Sequence, residues 1–276
     1  MLEDVVEDHR QSDGHPDRDR ERTRVPGPEV PDEHGDVLRE DGARAEAVGD
    51  ALEDGADGER HVFDQIVLAT GVTPRLPEFD GVDHPSVLSY LEVVRDKAPV
   101  GTSVAILGAG GIGFDVAEYL TAHGTSASLV PEKFFREWGI DPDYAQAGGI
   151  TDAAPPRPDR RVALFQRKSS KVGAGLGKTT GWIHRTELKA KGVQMVPGVE
   201  YQKIDDAGLH LRVNGADTVL PVDNVILCTG QEPQRELLAG LEAGGAVVHL
   251  IGGADVAAEL DAKRAIDQGT RLAARL

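Results

Sequence analysis

The sequence predicts an α/β fold built on parallel strands, and three observations predict it. Residues 103–120 run as a short apolar strand, then Gly108, Gly110 and Gly113 in G-x-G-x-x-G spacing, then a helical repeat. A second apolar strand, residues 162–165, ends in Gln166, Arg167, Lys168, Ser169, Ser170 and Lys171. Two further strands, residues 62–69 and 222–228, resemble each other: each has an Asp near its start and closes on a Thr-Gly turn followed by a proline.

The order strand, glycine turn, helix gives the first motif its meaning. The strand must leave in a turn tight enough to need Gly108, a pyrophosphate needs close backbone approach at Gly110, and the helix needs Gly113 to pack closely on the strand. The helix then turns its unpaired N–H groups and the positive end of its dipole toward the phosphates. Gly108, Ala109, Gly110, Gly111, Ile112 and Gly113 therefore read as a dinucleotide cradle.

The end of the next strand decides which dinucleotide is bound, because an acidic residue there would hydrogen-bond a ribose 2′-hydroxyl. Residues 166–171 contain no carboxylate. Arg167 offers a planar fork, Lys168 and Lys171 add point charges and the serines supply hydroxyls, so the turn reads as a seat for the 2′-phosphate of NADP(H). The competing reading is a solvated basic turn. Gly113 and Arg167 lie 54 positions apart, against about 20 from glycine loop to ribose reader in the usual motif. Residues 124–160, rich in Gly and Pro, suit the insertion this requires. Within it, Phe134, Phe135 and Trp138 read as anchors of the loop or as a cover for the cofactor, with anchoring the simpler of the two.

Charge divides the chain. Residues 1–60 hold 20 acidic residues and 8 arginines, a net −12 of the total −17, with no Phe, Trp, Tyr, Ile or Lys. Such a segment lacks the apolar surface to offset its ordering entropy, so a disordered acidic tail is expected over 1–60. It has no cationic start followed by an apolar core, and no run in the chain approaches a membrane span. Cys228 is the only cysteine, which excludes a disulfide framework and a thiolate-bound iron–sulfur cluster within this sequence. A cytoplasmic protein with no membrane association is expected, and its acidity argues against a nucleic-acid partner.

The remaining segments fit the same plan. Residues 186–191, closed by Gly192, read as a short helix. Residues 193–196, 199–204 and 209–213 read as strands joined by tight turns, giving a parallel βαβ core with an antiparallel meander. Residues 248–251 form a last strand, followed by Gly252-Gly253-Ala254-Asp255 and a helix from about Val256 whose Ala262, Ile266, Gly269, Ala273 and Leu276 recur on an inward face. Asp255 stands where it either caps that helix or hydrogen-bonds a flavin ribityl chain. Residues 173–179 imitate a phosphate-binding Walker loop but have three residues between the glycines where that motif has four, so an ATPase reading fails.

Phe63-Asp-Gln-Ile-Val-Leu-Ala-Thr-Gly-Val-Thr-Pro-Arg75, Gln166-Arg-Lys-Ser-Ser-Lys-Val-Gly173, Gly175-Leu-Gly-Lys-Thr-Thr-Gly-Trp-Ile-His-Arg185 and His249-Leu-Ile-Gly-Gly-Ala-Asp-Val-Ala-Ala-Glu-Leu-Asp261 resemble the C-terminal part of bacterial NADPH-dependent 2,4-dienoyl-CoA reductases. The resemblance covers about residues 62–276, insertion included. It implies a Rossmann-like flavoprotein fold with two dinucleotide-binding domains: part of an FAD-binding domain in 61–98, an NADPH-binding domain in 99–229 and the last part of the FAD-binding domain in 230–276.

The same resemblance implies that hydride passes from NADPH to FAD. Electrons then move through a 4Fe-4S cluster to FMN and on to a dienoyl-CoA in unsaturated fatty acid β-oxidation. By matching position, Arg167 and Lys171 would hold the 2′-phosphate, with Lys168 beside them, and Gly108 to Gly113 the pyrophosphate. Thr70, Gly71, Gly253, Asp255 and Val256 would serve the flavin side, and Gly230 is read as a further cofactor-binding glycine in the second Thr-Gly turn. The FMN barrel, the cluster cysteines and the first FAD glycine loop have no counterpart in this sequence, so FMN and 4Fe-4S are not bindable by this chain alone. NADPH is the expected partner, and a separate chain supplying the barrel is a third possibility. The alternative is a truncated, catalytically inactive NADP(H)-binding fragment.

Overall fold

The computed structural model describes Phe63, residues 65–258 and residues 262–276, which fall in one compact unit. The acidic segment 1–60, expected to be disordered, lies outside the described residues. In chain order the elements begin with β1 (Gln65–Leu68), β2 (Val72–Pro74), β3 (Val87–Ser89), α1 (Tyr90–Val94), β4 (Ser103–Leu107) and α2 (Gly111–Thr121). The insertion carries α3 (Pro131–Trp138) and is followed by β5 (Arg161–Phe165), α4 (Gly181–Ala190) and β6 (Gln194–Val196). Then come β7 (Val199–Asp205), β8 (Gly208–Val213), β9 (Ala216–Leu220), β10 (Asn224–Leu227), β11 (Gln231–Pro233), α5 (Leu238–Ala243), β12 (Val247–Leu250) and α6 (Ala262–Ala273).

A five-stranded parallel sheet in the order β3-β10-β4-β5-β6 organises these elements. Val104 to Leu107 and Val162 to Phe165 are buried throughout, as central strands covered on both faces must be. On one face Val104, Ile106 and Leu164 meet Phe114, Val116 and Leu120 of α2 and Leu188 of α4. On the other, Ala105, Leu107, Phe165 and Leu227 meet Ile204, Leu209, Leu211 and Val213 of the antiparallel β7-β8-β9 meander. The chain runs outward from β4 through β5 to β6 and then returns to β10 on the far side of β4. That reversal creates a crevice at the carboxyl ends of β4 and β10, where ligands of such sheets bind.

The two Thr-Gly segments converge. β1 pairs in parallel with β12, and the chains leaving β1 and β10 run together as the antiparallel pair β2 and β11. Thr70 Oγ1 donates to the Gln234 carbonyl at 2.6 Å, while Arg75 N donates to the Gly230 carbonyl at 3.0 Å. A clasp thus joins the β1–β12 pair to the large sheet.

Two helices depart from expectation, and the meander gains a third strand. The short helix expected at 186–191 starts earlier, at Gly181, because Gly181 packs against Leu176 and lets the preceding glycine-rich loop close on the helix. Residues 194–196 join the main sheet as β6, and the third meander strand is β9, after the Asn214-Gly215 turn. Val256 is not helical; α6 is described over Ala262–Ala273, and Ile266 of its expected inward face is 67% exposed. A polar clamp sets the rotation of α6. Gln268 accepts from Gly252 N at 2.7 Å and donates to Asp255 Oδ2 at 2.7 Å.

The insertion is held mainly to itself. Phe134 packs against Phe135 and Trp138 at ring separations of 6.3 and 6.0 Å, Asp141 N bonds the Gly149 carbonyl and Thr151 N the Gly139 carbonyl. Lys133 Nζ donates to the His123 and Thr125 carbonyls, tying α3 back to the end of α2. This geometry supports the anchoring reading of the three rings.

Candidate functional site

Gly108, directly after β4, has φ +107°, and a Cβ there would lie 2.1 Å from the Cys228 carbonyl oxygen at the end of β10. Only glycine fits a turn of this hand pressed against its neighbouring strand. Gly113 sits in the first turn of α2 with its missing side chain against the Gly108 oxygen, so the helix closes onto the strand. Gly110 and Gly111 are different. A Cβ on either would meet nothing within 4 Å, which leaves the backbone at the α2 N-terminus open to a phosphate. Ala109 and Ile112 are half-buried and pack against the core, so they contribute backbone rather than side chain to the turn.

Beside this turn stands the end of β5. The Phe165 carbonyl accepts from Gly108 N at 2.9 Å and from the Tyr201 hydroxyl at 3.2 Å, which fixes the residues after β5 relative to the glycine turn. Gln166 follows, then Arg167, Lys168, Ser169, Ser170 and Lys171, all five exposed. Gln166 Nε2 donates to the Lys168 carbonyl at 2.9 Å and the Ser170 carbonyl at 2.8 Å, bending the basic turn back on itself. Arg167 lines a cavity of about 550 Å³ together with Arg75, Phe79, Glu200, Tyr201, Thr229 and Glu232. The crevice therefore offers a glycine cradle, an open helix terminus and an adjacent cationic turn, a donor set that fits a phosphorylated dinucleotide.

Burial between the meander and the end of β5 pushes the Tyr201 hydroxyl well above the ordinary tyrosine range, an effect that Arg167 and the Gly108 N–H partly oppose. It stays a neutral donor to the Phe165 carbonyl. Burial likewise raises the Cys228 thiol to about 12, with Asp115 adding to the rise. Cys228 is a packing residue of the β10 end, not a nucleophile.

At the other cluster of expected cofactor residues, the turns after β1 and β12 lie against each other: a Cβ on Gly253 would fall 2.9 Å from the Gly71 carbonyl carbon. Gly71 itself opens on space, with φ +79° and no atom within 4 Å of where a Cβ would stand. Asp255 keeps a defined orientation through Gln268, while Arg235 donates to the Ala254 carbonyl at 2.6 Å. Thr70, Gly71, Gly253, Asp255 and the 46%-exposed Val256 are thus gathered at one end of the β1–β12 pair. Gly230 is placed apart from them, on the clasp, under the Arg75 guanidinium.

Sequence reasoning missed Gln166, Tyr201, Arg75 and Phe79. Tyr201 was recoverable from alternation in β7, where Val199 and Tyr201 share a side; the bulge between Tyr201 and Lys203 then breaks the pattern. Arg75 and Phe79 lie in an irregular stretch and meet the site only through the tertiary fold. Among the described residues no cluster of His, Cys, Asp and Glu is placed to hold a metal, and no helix is long and apolar enough to cross a membrane.

The sequence profile of the pyridine nucleotide-disulphide oxidoreductases matches residues 30–260. The chain belongs to that family. Among the chain's relatives, the metal reductase of Desulforamulus reducens is 24% identical over 202 residues, covering 70% of this chain and 28% of its own. A 2-naphthoyl-CoA reductase complex superposes with a TM-score of 0.58 at 19% identity, covering 77% of this chain and 27% of that one. Histamine dehydrogenase from Rhizobium sp. 4-9 superposes with a TM-score of 0.58 at 16% identity, covering 84% and 32%. The chain thus spans about a third or less of the length of each. The superpositions establish the shared α/β dinucleotide-binding fold.

Proposed function

We propose that this chain is the pyridine-nucleotide and flavin part of a reductase similar to the bacterial 2,4-dienoyl-CoA reductases, binding NADPH in preference to NADH and passing reducing equivalents to FAD. When bound, the two cofactors supply the redox chemistry, a two-electron hydride transfer from nicotinamide to flavin. The chain's own residues bind and orient. The backbone of Gly110 and Gly111 receives the pyrophosphate, Arg167, Lys168 and Lys171 hold the 2′-phosphate, and Thr70, Gly71, Gly253, Asp255 and Val256 line the flavin side. Onward transfer to FMN and a dienoyl-CoA belongs to a partner carrying the FMN barrel and a 4Fe-4S cluster.

The observation that carries this reading is Arg167 at the end of β5, registered to the glycine turn through the Phe165 carbonyl, in a stretch without a carboxylate. The test compares NADPH and NADH affinity of the wild type and Arg167→Ala. Loss of a charge-assisted phosphate contact is expected to weaken NADPH binding about thirtyfold and NADH binding less than about threefold. Equal losses for both nucleotides contradict the phosphate role.

The alternative reading is an inactive NADP(H)-binding fragment, for which the glycine cradle and the basic turn would bind nucleotide without turnover. The absorption spectrum of the purified protein separates the two. A flavin band near about 450 nm supports the reductase, and a colourless protein supports the fragment.

A further inference from the structure

Resting on the NADPH reading, we propose that Gln166 is a positioning residue that sets the 2′-phosphate turn in its binding shape before the nucleotide arrives. Arg167, Lys168 and Lys171 put three cations within five residues, and their mutual repulsion favours an open, splayed turn in the absence of a phosphate. Gln166 opposes that opening. Its main chain is fixed from both sides by the connection between β6 and β7: Gln166 N donates to the Val196 carbonyl at 2.9 Å, and its carbonyl accepts from Val199 N at 3.1 Å. From this fixed post the side-chain amide reaches forward. Nε2 donates to the carbonyls of Lys168 and Ser170 and approaches Ser170 Oγ at 3.3 Å. The Lys168 carbonyl accepts a second bond, from Gly198 N at 3.0 Å.

The chemistry explains the residue type. Two carbonyl oxygens converge on one group, so that group must be a donor with at least two hydrogens, which a carboxamide supplies and a carboxylate does not, and a neutral amide adds no fourth cation to the turn. Gln166 also precedes Arg167 at the strand end, the neighbourhood in which a ribose-reading acid would stand. A carboxylate at this position would face two lone pairs and repel the incoming phosphate. The benefit of the amide is lower ordering cost on binding, the general gain of a preformed site.

The experiment measures binding of adenosine 2′,5′-bisphosphate and adenosine 5′-monophosphate, which differ only in the 2′-phosphate, to the full chain and to Gln166→Met and Gln166→Glu. Gln166→Met is expected to weaken the bisphosphate about tenfold and the monophosphate less than about twofold, the added cost of ordering the turn falling on binding of the 2′-phosphate. Gln166→Glu is expected to weaken the bisphosphate further. Backbone amides of residues 168–171 should exchange faster in Gln166→Met, with the melting temperature little changed. Should Gln166→Met not fold, Gln166→Asn, with the amide set back by one methylene, carries the same selective loss. Equal affinity ratios in wild type and Gln166→Met overturn the positioning role while leaving the NADPH reading intact. A wild type that binds both probes alike overturns that reading, and this inference with it.

Discussion

A methyl group on Gly113 would lie 1.9 Å from the Gly108 carbonyl oxygen. Since backbone is the obstacle, neither a rotamer change nor a small side-chain shift relieves it, and α2 has to lift from β4. Gly110, two residues past Gly108, has no protein atom within 4 Å of the same position. The two glycines therefore answer different demands. Gly113→Ala is expected to destabilise the fold by on the order of 2 kcal/mol. Gly110→Ala should cost no more than about 1 kcal/mol as an N-cap change and yet abolish nucleotide binding. Thermal melts paired with NADPH titrations check both.

Asp223 joins the starts of β4 and β10. Its carboxylate accepts from Thr102 N at 2.7 Å, Ser103 N at 2.8 Å and Thr102 Oγ1 at 3.1 Å, and these bonds, the Ser103 backbone N–H first, hold its pKa below the ordinary carboxylate value. A group whose folded pKa is depressed stabilises the protein above its unfolded pKa and loses that contribution as pH falls through the folded one. Asp223→Ala should therefore lower the melting temperature at neutral pH, with the gap to wild type closing on acidification. A gap that stays constant as pH falls would show that the carboxylate charge is not involved.

Cys228 is predicted to be unreactive. With its thiol raised to about 12, almost none is thiolate at neutral pH. Labelling of the native protein by a thiol reagent should be slow and should speed up sharply on unfolding. Rapid stoichiometric labelling of the folded chain would contradict the burial.

Much of the large sheet was legible because each segment carried its own signal. β4 and β5 are short apolar runs bounded by glycine or charge, and the glycine spacing after β4 demands the turn that Gly108 makes. Short elements were not legible. β2 and β11 have three residues each and a proline apiece, with no periodicity; they pair only because β1 and β10 deliver them to the same place. The α6 repeat suggested an inward face, but Gln268, a polar residue outside the repeat, decides the rotation by bonding Gly252 and Asp255. The cationic residues were visible one by one. That a neighbouring glutamine shapes their turn was not, since a single Gln in a polar stretch carries no pattern.

The central claim is that the basic turn after β5 grips the 2′-phosphate of a nucleotide whose pyrophosphate lies on the glycine cradle. A crystal structure of the NADPH complex tests it most directly. The expected result is 2′-phosphate oxygens within hydrogen-bonding distance of the Arg167 guanidinium and pyrophosphate oxygens against the backbone N–H groups at the start of α2. A nucleotide whose 2′-phosphate faces solvent, with Gly110 and Gly111 untouched, would contradict it.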